Sequence, residues 1–171
     1  MREWARSMAE KAEQRSRASG RAGRRVTREK ELFTLRARHV KRLFAELESL
    51  AAAINKEIGA TALKTRRALN AKNLGGIEVP DGARLAIEFL ERRLEIVVQP
   101  MASIGGKPAA LGPLATASVI QYDHLDPTAA DWFDVSLHED GTWLRRAADD
   151  HGAPHVLGDE DMRALIEWLV S

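Results

Sequence analysis

The sequence predicts an α+β protein with a helical N-terminal half built around one long helix, then a roughly five-stranded antiparallel sheet closed by a C-terminal helix. Three observations predict it. From Thr27 to Ile58 apolar residues recur at spacings of three and four. Over residues 84–98 and again over 132–146 they alternate with polar ones. From Asp159 onward the spacing of three and four returns.

Residues 2–18 are rich in Ala, Glu and Arg and can form a helix, with Trp4, Met8 and Ala12 as a thin apolar stripe. Ser16–Arg25 is rich in glycine and arginine, the composition of a flexible, self-repelling linker. Residues 1–26 are therefore expected to be a basic arm, mobile or ordered as a helix by a partner.

The second region, 27–73, is expected to be helical. Phe33, Val40, Leu43, Leu47, Leu50 and Ile54 line one face of a helix, widened by Phe44, Ala51 and Ile58. Thr27 suits an N-cap, Glu29 and Glu31 suit the positive end of the helix dipole, and Gly59 supplies a stop. Thirty helical residues span roughly 45 Å, more than a small domain needs. The helix then either spans the domain and pairs with another chain, or is two helices. Thr61 can cap a short helix from Ala62 to Asn70, anchored by Leu63 and Leu69. Asn73-Leu74-Gly75-Gly76 breaks it, Pro80-Asp81-Gly82 marks a turn, and a domain boundary falls between 73 and 83.

The third region, 83–171, reads as an antiparallel α+β domain. A hairpin turning at Glu91-Arg92 pairs Phe89 with Leu94, Ile87 with Ile96 and Leu85 with Val98, all on one face. Its turn lacks Gly or Asn, and Glu88 meets Glu95, so a helix over 83–95 stands as the rival. Residues 102–113 form a Gly/Pro/Ala-rich loop, and a strand follows from Ala115 to Tyr122. Phe133, Val135 and Leu137 alternate with polar neighbours up to a two-residue Asp140-Gly141 turn. Pairing Glu139 with Thr142 places Leu137 opposite Leu144 inside and His138 opposite Trp143 outside. Residues 148–157 form a polar loop. Asp159 caps a helix whose apolar face is Met162, Leu165, Ile166 and Leu169.

The net charge of +1 conceals a division. Residues 1–45 hold 14 Lys/Arg against 5 Asp/Glu, a net +9; residues 46–171 hold 12 against 20, a net −8. The basic third suits a polyanion, nucleic acid being the commonest, unless it folds against the acidic remainder.

Ala51–Asn70 resembles a helix-turn-helix, with Gly59 in the turn, small Ala60 and capping Thr61 after it, and basic residues on the second helix. The resemblance implies that the second helix enters a major groove. It departs from the motif at Thr65, where a branched apolar residue belongs, and at Asn55, where a small one does. The alternative is a helical hairpin joining the long helix to the sheet. The expected nucleic-acid-binding residues are Lys64, Arg66, Arg67, Lys72, Arg24 and Arg25. Trp132 and Trp143, outward on the last hairpin, and Leu43 and Leu47, on the long helix, are the expected partner-binding residues.

No catalytic residue, metal or cofactor is expected. His151 and His155 are four apart beside Asp149 and Asp150, but Gly152 and Pro154 make that stretch a loop. Asp123-His124 and His138-Glu139-Asp140 read as surface polar groups. Gly105-Gly106-Lys107 lacks the remaining pattern of a phosphate loop, and no nucleophile or zinc motif appears. Absence of Cys excludes disulfides and thiolate zinc sites. No apolar run reaches the ~20 residues that span a bilayer, and the first residues lack a signal-peptide core, which points to the cytoplasm. The expectation is a non-enzymatic binding protein that contacts nucleic acid through its basic helical half and a partner through the sheet domain, with a protein partner or a second copy on the long helix. The alternative is a coiled-coil adaptor or structural subunit of a larger complex.

Overall fold

A computed structural model describes residues 2–74, 77–99, 113–145 and 154–171; the side chains of residues 2–5, 25, 29, 69–81 and 129 lie outside that description. The order is helix α1 (Arg2–Ile58), strands β1 (Lys64–Leu74), β2 (Ile77–Phe89), β3 (Arg92–Val98), β4 (Ala115–Asp123), β5 (Asp131–Leu137), β6 (Trp143–Arg145) and β7 (His155–Val156), then helix α2 (Asp159–Val170). The chain divides into two compact units, Met1–Leu35 and Arg36–Ser171.

In the first unit the chain is helical throughout its described residues. The expected linker Ser16–Arg25 and the expected N-cap Thr27 both lie inside α1. Thr27 Oγ1 donates to Gly23 O at 3.1 Å, which satisfies its hydroxyl without ending the helix. Arginine and alanine are good helix formers, and their run carries the helix across Gly20 and Gly23.

In the second unit, Val40, Leu43, Phe44, Leu47 and Ala51 of α1 join Met162, Leu165, Ile166 and Leu169 of α2 in one core with the sheet. The sheet is an open antiparallel meander of seven strands in the order β1 to β7, two more than expected. Its inner face supplies Leu85 and Ile87, Leu94, Ile96 and Val98, Ala115, Ala117 and Val119, Val135 and Leu137, and Trp143. Burying that face under two helices is what one-sided alternation requires.

The short helix expected over Ala62–Asn70 is strand β1 instead. Gly59, at φ 74°, ends α1, and Asn55 then redirects the chain. Its Oδ1 accepts from Ala62 N (2.9 Å) and Leu63 N (2.7 Å), and its Nδ2 donates to Leu63 O at 2.8 Å. Leu63 is thereby sunk in the core and residues 64–69 pair with β2, Lys64 opposite Glu88 and Leu69 opposite Ala83. Sheet pairing overrides the helix propensity of these residues. Pro80-Asp81-Gly82, expected as a turn, lies within β2. The partner register slips between Leu69 and Ala71, and Gly82 takes φ 134°, a bulge in place of a domain boundary.

Residues 83–98 form the hairpin, not the helix, but the turn is Leu90-Glu91, with Leu90 at φ 50°. Ile87 faces Leu94 and Leu85 faces Ile96. The shift of two residues keeps the same face inward and sets Glu88 opposite Arg93 rather than Glu95. Like charges no longer meet, and Arg93 instead bridges Glu88 (3.5 Å) and Glu95 (3.2 Å).

The β5–β6 hairpin is one residue out of the expected register. Leu137 pairs with Trp143, and Ser136 with Leu144. The loop is Glu139-Asp140-Gly141, closed by His138 N donating to Thr142 O at 2.9 Å, with Gly141 at φ 91°. A one-residue slip exchanges faces, so Trp143 points inward and is 5% exposed. At α2 the N-cap is Gly158, one residue earlier than expected, and Asp161 Oδ2 accepts from its N–H at 2.8 Å. Among the described residues, no helix is long and apolar enough to cross a membrane.

Candidate nucleic-acid interface

The basic residues of the first unit stand on a helix with open surroundings. Every described side chain from Arg6 to Glu31 is exposed. From Arg15 to Arg28 the sequence holds six arginines and no acid, a span of roughly 20 Å. Arg17, Arg21, Arg24 and Arg28 follow one another at spacings of four, three and four, which aligns them on one face. Arg17 Nη2 meets Glu13 at 2.5 Å and Arg28 Nη1 meets Glu31 at 3.6 Å. Arg21 and Arg24 make no ion pair among the described residues. Pairs such as Arg17 with Arg21, and Arg24 with Arg28, set like charges one turn apart, which costs an isolated helix a few tenths of a kcal/mol each, roughly. A row of phosphates would relieve that repulsion.

Of the six expected nucleic-acid residues, two lie on α1 in the first unit and four on β1 in the second. Arg24 is exposed on α1; Arg25 is on α1 and Lys72 on β1, with side chains outside the described residues. Lys64 and Arg66 share the outer face of β1 and are exposed. Arg67 points the other way. Its Nε and Nη2 grip Glu48 at 2.6 and 2.5 Å, and its guanidinium stands 5.6 Å from the Phe44 ring. It fastens β1 to α1, and no recognition helix exists for it to occupy. Arg36 is likewise structural: it is buried, and its Nη2 donates to Gln99 O at 2.7 Å. Neither role was signalled by charge counts. Asn55 and Thr65, the two residues that depart from the helix-turn-helix pattern, were the sequence features that marked the segment as something else, Asn55 at the turn and Thr65 on the strand.

The expected partner residues separate as well. Leu43 and Leu47 are 2% and 0% exposed in the core, because the sheet and α2 cover the stripe that a coiled coil would need. Trp143 is buried for the reason of register. Trp132 alone of the four lies outward, 66% exposed.

A groove of about 280 Å³ lies between α1, the β5–β6 loop and the start of α2, bordered by His39, Arg42, Glu46, Asp140 and Asp159. Arg42 Nε donates to Glu46 at 2.7 Å. Asp140 Oδ1 accepts from Thr142 N at 2.9 Å, which holds its carboxyl below the usual range. The Glu46 and Asp140 carboxylates hold their own helix and loop. Among the described residues no three His, Asp or Glu side chains cluster as metal ligands. His155 Nε2 lies 2.8 Å from Asp161 Oδ1, while His151, Asp149, Asp150 and Gly105-Gly106-Lys107 lie outside the described residues. Asp123 bridges Arg92 (3.1 Å) and accepts from Leu125 N (2.9 Å), and the Leu125 N–H foremost lowers its carboxyl pKa. Compared with protein-family models, curated proteins and solved structures, the chain matches none.

Proposed function

We propose that the chain is a non-enzymatic nucleic-acid-binding protein that engages phosphates through the Arg15–Arg28 segment of α1. The observation that carries this is the acid-free run of six arginines on a continuous helix, five of them with described, exposed side chains. A helix of this width fits a major groove, and arginine forks match phosphate oxygens. The acidic sheet unit takes no part, since its net charge repels phosphate.

The test is fluorescence anisotropy with a labelled 20-base-pair duplex between 50 and 300 mM salt. Binding should weaken with a log–log slope of roughly 0.9 per phosphate neutralised. Replacing Arg17, Arg21, Arg24 and Arg28 with Gln should lower affinity and flatten the slope by about one unit per lost contact. Parent-like binding by that variant, or a parent that ignores the duplex at 50 mM salt, would overturn the proposal.

A further inference from the structure

The outer face of β4 and β5 carries an aromatic patch in the most acidic part of the described sheet. Ile120 pairs with Trp132, and Tyr122 lies two residues along on the same side. Tyr122 is braced edge-on by His124, ring centroids 4.7 Å apart at 84°. The Trp132 indole is the largest exposed side chain of the unit. Residues 113–145 contain six Asp/Glu and a single basic residue, Arg145. Asp134 shares the face of Trp132, and Asp131 precedes it on β5. Asp134 Oδ1 accepts from Ser118 Oγ at 2.7 Å, and Asp131 Oδ1 accepts from Trp132 N at 2.8 Å. Each carboxylate is thus oriented through one oxygen.

The same chain shows what its aromatic rings take as neighbours. Arg67 lies 5.6 Å from the Phe44 centroid, Arg92 5.4 Å from Trp168, and Arg145 3.9 Å from Phe133. Trp132 carries no guanidinium among the described residues. An indole face attracts a cation, and adjacent carboxylates add a charge-assisted bond to its N–H groups. The same carboxylates repel a phosphate backbone.

We propose that the β4–β5 face around Trp132 docks an arginine-rich segment of a protein partner, with one guanidinium stacked on the indole and paired with Asp134. This is a second surface, separate from the helix assigned to nucleic acid, and it stands whether or not that assignment does.

The probe is a labelled twelve-residue peptide of alternating Gly and Arg, titrated with the full chain at 50 and 150 mM salt. The peptide should bind, and Trp132→Ala should weaken it about tenfold, the size of one well-placed cation–π contact with its desolvated surround. Asp134→Asn should weaken it similarly. A Gly-Lys peptide should bind less well, since an ammonium lacks the planar stack. Far-UV circular dichroism and the urea midpoint of both variants should match the parent, because the altered side chains are exposed. Peptide binding that survives Trp132→Ala overturns the proposal as mere attraction to an acidic surface. Binding of a labelled twelve-residue oligothymidylate that is lost with Trp132→Ala overturns it in favour of a base-stacking platform. A particle mass that drops from two chains to one in Trp132→Ala, without peptide binding by the parent, overturns it in favour of a second copy.

Discussion

The His39 ring on α1 closes against Gly141 in the β5–β6 loop. A Cβ at Gly141 would stand 2.4 Å from His39 Cε1 and 2.7 Å from Nδ1, and the backbone there is at φ 91°. Glycine is thus required twice, once for the left-handed conformation and once for the close approach of the helix. The contact ties the loop that sets the hairpin register to the helix that covers the sheet. Gly141→Ala should lower stability by about 1–3 kcal/mol, read from urea unfolding. Adding His39→Ala should recover the steric part and leave the backbone part. If the single and double variants are equally destabilised, the clash with His39 contributes nothing.

The opposite sign is expected at Gly20 and Gly23. Both sit in the interior of α1 with nothing within 4 Å of a built Cβ. Replacing each by Ala should favour the helix by roughly 0.8–1 kcal/mol. Far-UV circular dichroism should show more helix at elevated temperature, with the melting of the second unit unchanged. A fall in helix content would mean that these glycines do not stand in an open helix.

The turn out of α1 depends on Asn55. Asn55→Ala removes one acceptor shared by two backbone N–H groups and the donor to Leu63 O. Ala62 N keeps a bond to Ala60 O at 3.0 Å, while Leu63 N and Leu63 O lose the side chain. Partly buried backbone groups left without partners cost about 1–3 kcal/mol each, so a loss of about 2–6 kcal/mol is expected. Asn55→Asp should cost less, because the carboxylate still accepts from Ala62 and Leu63. A substitution by Ala that leaves the urea midpoint in place would remove this account of why β1 is a strand.

These residues mark where sequence reading succeeds and stops. The stripe from Val40 to Ile54 and the face of Met162, Leu165, Ile166 and Leu169 were legible because spacing reports which side is buried. Spacing says nothing about what does the burying, so Leu43 and Leu47 read equally well as a seam for another chain. Lys64–Asn70 misled because its helix propensity is real and only pairing with β2 overrides it. The two hairpins erred through their turns. Leu90 adopts a positive φ without being Gly or Asn, and Glu139 adds one loop residue before Asp140-Gly141. In the first case the shift was even and the faces survived; in the second it was odd and Trp143 changed sides. The arginine run was visible as composition, but its two glycines favoured a linker over the helix that carries them.

Asp161 links α2 to acid stability. Burial pushes its carboxyl up, but the Gly158 N–H and the His155 ring outweigh that, and the net pKa lies below the ordinary value. The unfolded chain therefore takes up the proton first as acid is added, near pH 3.9, roughly. The stabilisation is complete above that pH and is lost as pH falls through the lowered folded value. Asp161→Ala should cost about 1 kcal/mol at neutral pH, the worth of a cap. Its difference from the parent should shrink toward zero below about pH 3. A difference that is constant from pH 7 to pH 2.5 would assign the effect to packing and not to charge.

Trp132 and Trp143 stand on opposite faces of the same hairpin, and a single variant of each separates their roles. Trp143 pairs with Leu137 in the core and is nearly sealed from solvent. Trp143→Ala should leave a cavity and cost about 3–5 kcal/mol. Trp132 is two-thirds exposed on the other face, and Trp132→Ala should change stability by about 0.5 kcal/mol or less. Had the hairpin kept the two-residue Asp140-Gly141 turn, Trp143 would lie outward and Leu144 inward, so Leu144→Ala would be the costly change. Urea unfolding of the three variants decides the register. A Leu144→Ala loss larger than that of Trp143→Ala would return the hairpin to the shorter turn and place both tryptophans on the outer face.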